Sequence, residues 1–357
     1  MTDAIVLGTR PEIIKCAPII KRYGKMETEL TIIHTNQHYS RELDEVFFED
    51  LHLRKPDFNL GVGSGSQAEQ AAKIMVGVEK LLLSEKIKRV IVQGDTNSVL
   101  GAALAASKIG VDVVHVEAGL RSHDTSMPEE INRIVTDHVS SILFPPAHES
   151  ADNLYNEGIP QSKVFVVGNT IVESTVENAV EAGSRFKKIS EIYGVQKHGY
   201  NLMTMHRPSN VDTATGLVKL VSLMNVIVKE SGHGIVFPVH PRTRASIEAN
   251  HVKMPATVKL IEPLGYIDFL SLEKNAALIF TDSGGVQEEA CILRRPCITL
   301  RNNTERPETV YVGANIVTGI NAGLVRDAIK TFSERKMDYT IPFGSTASAS
   351  IYKILNS

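Results

Sequence analysis

The chain has 357 residues, 43% hydrophobic and 22% charged, with 38 basic residues against 41 acidic ones for a formal charge of −3. That length exceeds a usual single core and predicts two domains. The near-neutral balance excludes a global pull toward nucleic acid or an anionic membrane surface.

No apolar run approaches the roughly 20 residues that span a bilayer. The start, Met1-Thr2-Asp3 followed by AIVLGTRPE, reads as lacking a signal peptide. Cys16, Cys291 and Cys297 have neither metal-ligand nor disulfide-framework spacing and read as reduced, buried thiols. A cytoplasmic location and no metal are the expectations that follow.

In chain order, short β-rich apolar runs alternate with helical patterns, the mark of βαβ units and parallel sheets. The pattern predicts strand 4–7, helix 11–23, strand 30–34 and helices 40–51 and 67–84. Strand 89–93, helix 98–108, strand 112–116, helix 129–140 and strand 142–144 follow. Within 67–84, Ile74, Val78 and Leu81 keep helical spacing. A second series then starts, with strands near 201–206, 235–239, 258–261, 277–281, 297–300 and 315–317. The crossover is expected at Val164–Thr170, dividing the chain into 1–168 and 169–343. A last helix near 348–355, within 344–357, can pack on either domain.

In such sheets ligands bind beyond the carboxyl ends of the strands. Four strands end there in chemistry-bearing residues: Asp95, Glu117, His206 and the run Thr281-Asp282-Ser283-Gly284-Gly285. Asp95 reads either as a helix N-cap or as an acid/base group. Two carboxylates held close push their pKa values apart, which suits Asp95 and Glu117 as acid and base. Gly8-Thr9-Arg10-Pro11-Glu12 joins a strand to a helix N-terminus. It reads equally as a plain turn or as an anion site served by Arg10 and Lys15.

Glu129 and Glu130 open the next helix, and Arg133 with Asp137, four apart, fits an ordinary surface pair. His206-Arg207 and His240 sit at strand ends where a histidine can meet a phosphate. The stronger phosphate signal is Ser283-Gly284-Gly285, where glycines admit an anion to the backbone at a helix start. Of Glu288 and Glu289, one is free to meet ribose hydroxyls while the other faces solvent; Arg306 adds an anion contact. Neither a dinucleotide fingerprint nor a P-loop occurs.

The motifs GTRPE (8–12), GDT (94–96), HVEAGLR (115–121), PEEINR (128–133), GNT (168–170), HRP (206–208), TDSGGVQEEA (281–290) and TERPE (304–308) occur in family order. By them the chain resembles the non-hydrolysing UDP-N-acetylglucosamine 2-epimerases. The resemblance implies an α/β fold of two Rossmann-like domains facing across a cleft, the GT-B architecture, with the C-terminal helix returning to the first domain. It implies reversible inversion at C2 of UDP-N-acetylglucosamine to UDP-N-acetylmannosamine, by elimination of UDP to 2-acetamidoglucal and re-addition. No cofactor or metal is implied, and the assembly implied is a homodimer.

By motif match Asp95, Glu117 and Glu129 form the acid/base group, supported by Lys15 and His206. Arg10, Arg133, Arg207, His240, Ser283, Gly284, Gly285 and Arg306 become substrate contacts, with Glu288 at the ribose. Phe269 falls where the family sets an aromatic near uracil, its alternative being a core residue.

Two departures stand out. Ser209 replaces the Glu of a bacterial His-Arg-x-Glu-Asn, and Gln37-His38-Tyr39-Ser40-Arg41 departs from the Gln-His-Arg-Glu-Met of a regulatory site, so that regulation is not carried over. The rival readings are a hydrolysing epimerase, a glycosyltransferase of the same architecture and a catalytically silent sugar-nucleotide sensor.

Overall fold

The computed structural model describes residues 2–36 and 41–357, apart from the side chains at 41–44, 208, 209 and 242. The segment 37–40 and the side chains of Arg41 and Ser209 therefore lie outside the described residues. The chain divides into unit 1, Met1–Ser174 with Phe343–Ser357, and unit 2, Thr175–Pro342.

Unit 1 runs β1 (Asp3–Leu7), α1 (Arg10–Lys25), β2 (Leu30–His34), α2 (Arg41–Asp50), β3 (Phe58–Asn59) and α3 (Gln67–Ser84). It continues through β4 (Arg89–Gln93), α4 (Asn97–Lys108), β5 (Asp112–Val116), α5 (Pro128–Val139), β6 (Ile142–Phe144), α6 (His148–Asn156) and the start of α7 (Thr170–Tyr193). All pairings are parallel, in the order β3-β2-β1-β4-β5-β6.

The inner strands are continuous apolar runs because helices cover both faces. DAIVL of β1 and RVIVQ of β4 are buried along their whole length. Local sequence fixes the helix starts. Thr9 and Glu12 form a capping box at α1, and Ser66 and Glu69 form one at α3. The buried line of α3 is Gln70, Ile74, Val78 and Leu82, so Leu82 takes the place expected of Leu81.

Unit 2 repeats the plan with β7 (Tyr200–Thr204), α8 (Pro208–Val211), α9 (Ala214–Ser231), β8 (Gly234–Pro238), α10 (Pro241–Ala249), β9 (Val258–Ile261) and α11 (Tyr266–Asn275). Then come β10 (Leu278–Thr281), α12 (Gly284–Ile292), β11 (Cys297–Thr299), α13 (Pro307–Tyr311), β12 (Asn315–Val317) and α14 (Ala322–Glu334). Its sheet order is β12-β11-β10-β7-β8-β9. Counted from its own first strand, that is the doubly wound order of unit 1, and both match the Rossmann order.

The last helix, α15 (Ala347–Leu355), packs on unit 1, as the family resemblance implies. Tyr352 stacks edge-on against Tyr23 at 5.2 Å and hydrogen-bonds Thr28 at 2.6 Å, while Arg89 donates to the Leu355 carbonyl at 2.6 Å. The chain reaches α15 past Gly168, which has φ +91, and a Cβ there would lie 2.7 Å from the Gly344 carbonyl oxygen. Gly168→Ala should destabilise unit 1 by more than about 1 kcal/mol in chemical denaturation, since both backbone conformation and a backbone neighbour oppose it. An unchanged midpoint would contradict this account of the tail.

Candidate active site

In a doubly wound sheet the ligand crevice opens where the strand order reverses. That point lies between β1 and β4 in unit 1 and between β7 and β10 in unit 2. Lys15 and Asp95 follow the first pair, His206 and Ser283 the second, and Glu117 follows β5 beside β4.

Strands β4 and β5 pair with Gln93 opposite Val116, so the segments leading to Asp95 and Glu117 emerge side by side. A Cβ on Gly94 would lie 3.9 Å from Glu117 Oε2. Glu117 has φ 68, a left-handed backbone that costs a residue with a β-carbon about 1–3 kcal/mol. Its buried carboxylate takes Lys15 Nζ at 2.6 Å on Oε1 and Gln93 Nε2 on Oε2. Asp95 is more open, with 28% of its side chain exposed, and it meets Arg133 Nη2 at 2.5 Å. Asn132 Nδ2 donates to the Asp95 carbonyl at 2.8 Å. Thr96 rather than Asp95 caps α4, its hydroxyl accepting from Ser98 N at 3.1 Å. That removes the N-cap alternative for Asp95.

The expected surface pair of Arg133 and Asp137 is not formed. Both are buried: Arg133 joins Asp95 and, at 2.8 Å, Glu130, while Asp137 joins His115 at 2.6 Å and Arg121 at 2.7 Å. Glu130 is committed to the loop over α5, accepting from Ser122 N at 3.0 Å and His123 N at 2.9 Å. The neighbouring Glu129 sits half-buried in the first turn of α5.

Glu12, to which the motifs assign no role, ties two of the loops together. It accepts from Gly8 N, Thr9 N and Thr9 Oγ1 at 2.7, 2.7 and 3.0 Å, and from Thr96 Oγ1 at 2.6 Å. Burial raises its pKa to about 7 from 4.5, against the pull of those bonds. Arg10, at the mouth of the same turn, lies over the Phe47 ring at 5.2 Å.

In unit 2 the anchor is Asp282, fully buried at the end of β10. It accepts from the backbone N–H of His206 at 3.1 Å and of Arg207 at 2.9 Å, and from Asn210 Nδ2 at 3.3 Å. His206 Nδ1 lies 2.8 Å from its Oδ1, while the imidazole is 49% exposed. Burial pushes the Asp282 carboxyl upward, but His206 and the two N–H donors outweigh it and hold it below the ordinary range. An acid at the end of the strand beside β7 was the available signal for this role.

Ser283 stands at the N-cap of α12 without a capping bond from its hydroxyl. A Cβ on Gly284 would lie 3.9 Å from the Arg306 guanidinium, so the helix start and that cation share one face. Arg306 Nε is 2.7 Å from Glu288 Oε1, and both are buried. Glu289 does not face solvent as expected; it is 6% exposed. Its carboxyl adjoins that of the fully buried Glu273, which burial first and Glu289 second push far up. Phe269 is half-buried against the core beneath α12, and His240 is exposed after β8.

Among the described residues no group of three or more His, Cys, Asp or Glu could hold a metal ion, and no helix is long and apolar enough to cross a membrane.

Two doubly wound parallel units, one with strand-end acids held by cations and the other with a glycine helix start beside a buried arginine, make an α/β fold of the GT-B class. Comparison narrows the class. The chain belongs to the UDP-N-acetylglucosamine 2-epimerase family, whose model matches residues 21–356. It is 50% identical to the UDP-N-acetylglucosamine 2-epimerase of Methanocaldococcus jannaschii over 97% of this chain and 96% of that protein. A crystal structure of the M. jannaschii enzyme in complex with UDP-GlcNAc and UDP matches with a TM-score of 0.94 at 49% identity, covering 100% of this chain and 99% of that one. The chain is also 39% identical to the UDP-2,3-diacetamido-2,3-dideoxy-D-glucuronate 2-epimerase of Pseudomonas aeruginosa, over 91% of this chain and 90% of that protein. The family resemblance read from the motifs is borne out.

Glu12 gives the site a pH signature. Its folded pKa is raised, so the stability it confers is fully present below pH 4.5 and is lost as pH rises through about 7. The loss should reach about 3 kcal/mol, and Glu12→Gln, which cannot ionise, should lack that slope in denaturation series. A wild-type slope no steeper than the variant's would contradict this.

Proposed function

We propose that this protein interconverts UDP-N-acetylglucosamine and UDP-N-acetylmannosamine by breaking and remaking the bond between C1 and the UDP oxygen. The observation that carries the reading is the pair Asp95 and Glu117 at neighbouring strand ends, each held by its own cation.

No carbonyl adjoins C2, so its hydrogen is not acidic in the resting sugar. When the pyrophosphate oxygen leaves C1 with the bonding pair, C1 gains oxocarbenium character and the C2 proton becomes removable. One carboxylate takes that proton, leaving 2-acetamidoglucal and UDP. In the return step a UDP oxygen re-forms the bond to C1 while C2 takes a proton on its opposite face. Two faces call for two acid/base groups, drawn from Asp95, Glu117 and Glu129. Arg133 and Lys15 balance the charge of the first two.

His206, oriented by Asp282, serves the departing diphosphate together with Arg10, Arg207, Arg306 and the backbone of Ser283, Gly284 and Gly285. Glu288 serves the ribose, Phe269 the uracil ring, and His240 the outer phosphate. The working form is a homodimer in the cytoplasm, for which the family resemblance is the support.

Asp95→Asn should lower deuterium entry at C2 in deuterated water by about 10²–10⁴-fold while UDP binds within about threefold of the wild type. Near-normal exchange in that variant would remove Asp95 from the mechanism.

A further inference from the structure

His115 lies on β5 with its side chain fully buried. Both ring nitrogens face acceptors: Nδ1 is 2.6 Å from Asp137 Oδ1, and Nε2 is 2.9 Å from the Gly94 carbonyl oxygen. A carbonyl has no hydrogen to donate, and neither has an ionised carboxylate. Burial pushes Asp137 upward, but His115 and the Arg121 guanidinium outweigh it and hold that carboxyl below the ordinary range. Nε2 therefore carries a proton and donates to the Gly94 carbonyl. Arg121 bridges Asp137 at 2.7 Å and the exposed Glu157 at 2.6 Å, so the buried carboxylate has its own countercharge.

We propose that His115, anchored by Asp137, is a positioning residue for the chemistry at C2. Its Nε2–H fixes the Gly94 carbonyl, and with it the turn of φ +84 that presents Asp95. The other oxygen of Asp137 accepts from Gly119 N at 3.2 Å, two residues beyond Glu117. One buried carboxylate thus sets the backbone beside both acids. A displacement of about 1 Å at such groups is enough to cost about 10²-fold in rate. The kinetic part of this proposal rests on Asp95 and Glu117 as the acid/base pair; the bond from His115 to the Gly94 carbonyl does not.

The test begins with nitrogen-15 spectra of the full chain labelled at histidine, about one pH unit above the ordinary histidine value. One buried histidine should carry a proton on Nε2 that is shielded from exchange with water, and its signal should vanish in His115→Gln. If that variant does not fold, Asp137→Asn makes the assignment, because the His115 signals should shift most. A His115 with a bare Nε2 in the wild type would overturn the proposal.

In the second arm, Asp137→Asn and His115→Gln should lower kcat for C2 exchange by about 10²-fold, with KM and UDP affinity within about twofold. Wild-type exchange, or a parallel collapse of kcat, KM and UDP affinity, would overturn the positioning role. A wild-type chain without any C2 exchange would strike the reading of function instead, and the nitrogen spectra would still decide on the bond from His115 to the Gly94 carbonyl.

Discussion

A carboxylate buried against a lysine sets the terms for unit 1. Removing an ion from water costs several kcal/mol even after relaxation, and Glu117 adds the strain of a left-handed backbone. Lys15, one turn into α1, brings the opposite charge to 2.6 Å, and Gln93 satisfies the second oxygen. That pair binds the end of β5 to the start of α1. The Glu12 carboxylate binds the turn before α1 to Thr96 at the start of α4. The loops after β1, β4 and β5 are therefore tied to one another through buried side chains.

Unit 2 uses the same physics with a different output. Asp282 is buried and holds two backbone N–H groups together with the Nδ1 side of His206, while half of the imidazole stays open. The adjacent α12 leaves its Ser283 hydroxyl out of capping and shares a face with Arg306. One strand end, one helix start and one loop thus meet at the same edge. Its partner in charge is the buried Glu288, which keeps Arg306 from being an isolated cation at that depth.

Much of this was legible because parallel strands buried on both faces read as unbroken apolar runs. The expected strands 30–34, 89–93, 112–116, 142–144, 258–261 and 315–317 coincide with β2, β4, β5, β6, β9 and β12. β3 has only two residues, Phe58–Asn59, and no apolar run to announce it. Leu82 displaced Leu81 because two adjacent leucines fit a helical stripe about equally well until α4 packs against it.

At the site, the strand-end acids were visible as residue types in place. Their partners were not. Spacing of four on α5 suggested Arg133 with Asp137, but burial turned each toward groups distant in sequence, Asp95 in one case and His115 in the other. Glu289 misled for the same reason: adjacency to Glu288 on a helix says which way a side chain points, not what α11 brings against it.

The most direct measurement is proton NMR of the purified protein with UDP-N-acetylglucosamine in deuterated water. Both UDP-sugars carrying deuterium at C2, with no free sugar accumulating, is the result predicted by elimination and recapture of UDP. Epimerisation that leaves hydrogen at C2, or release of free N-acetylmannosamine and UDP, would contradict it.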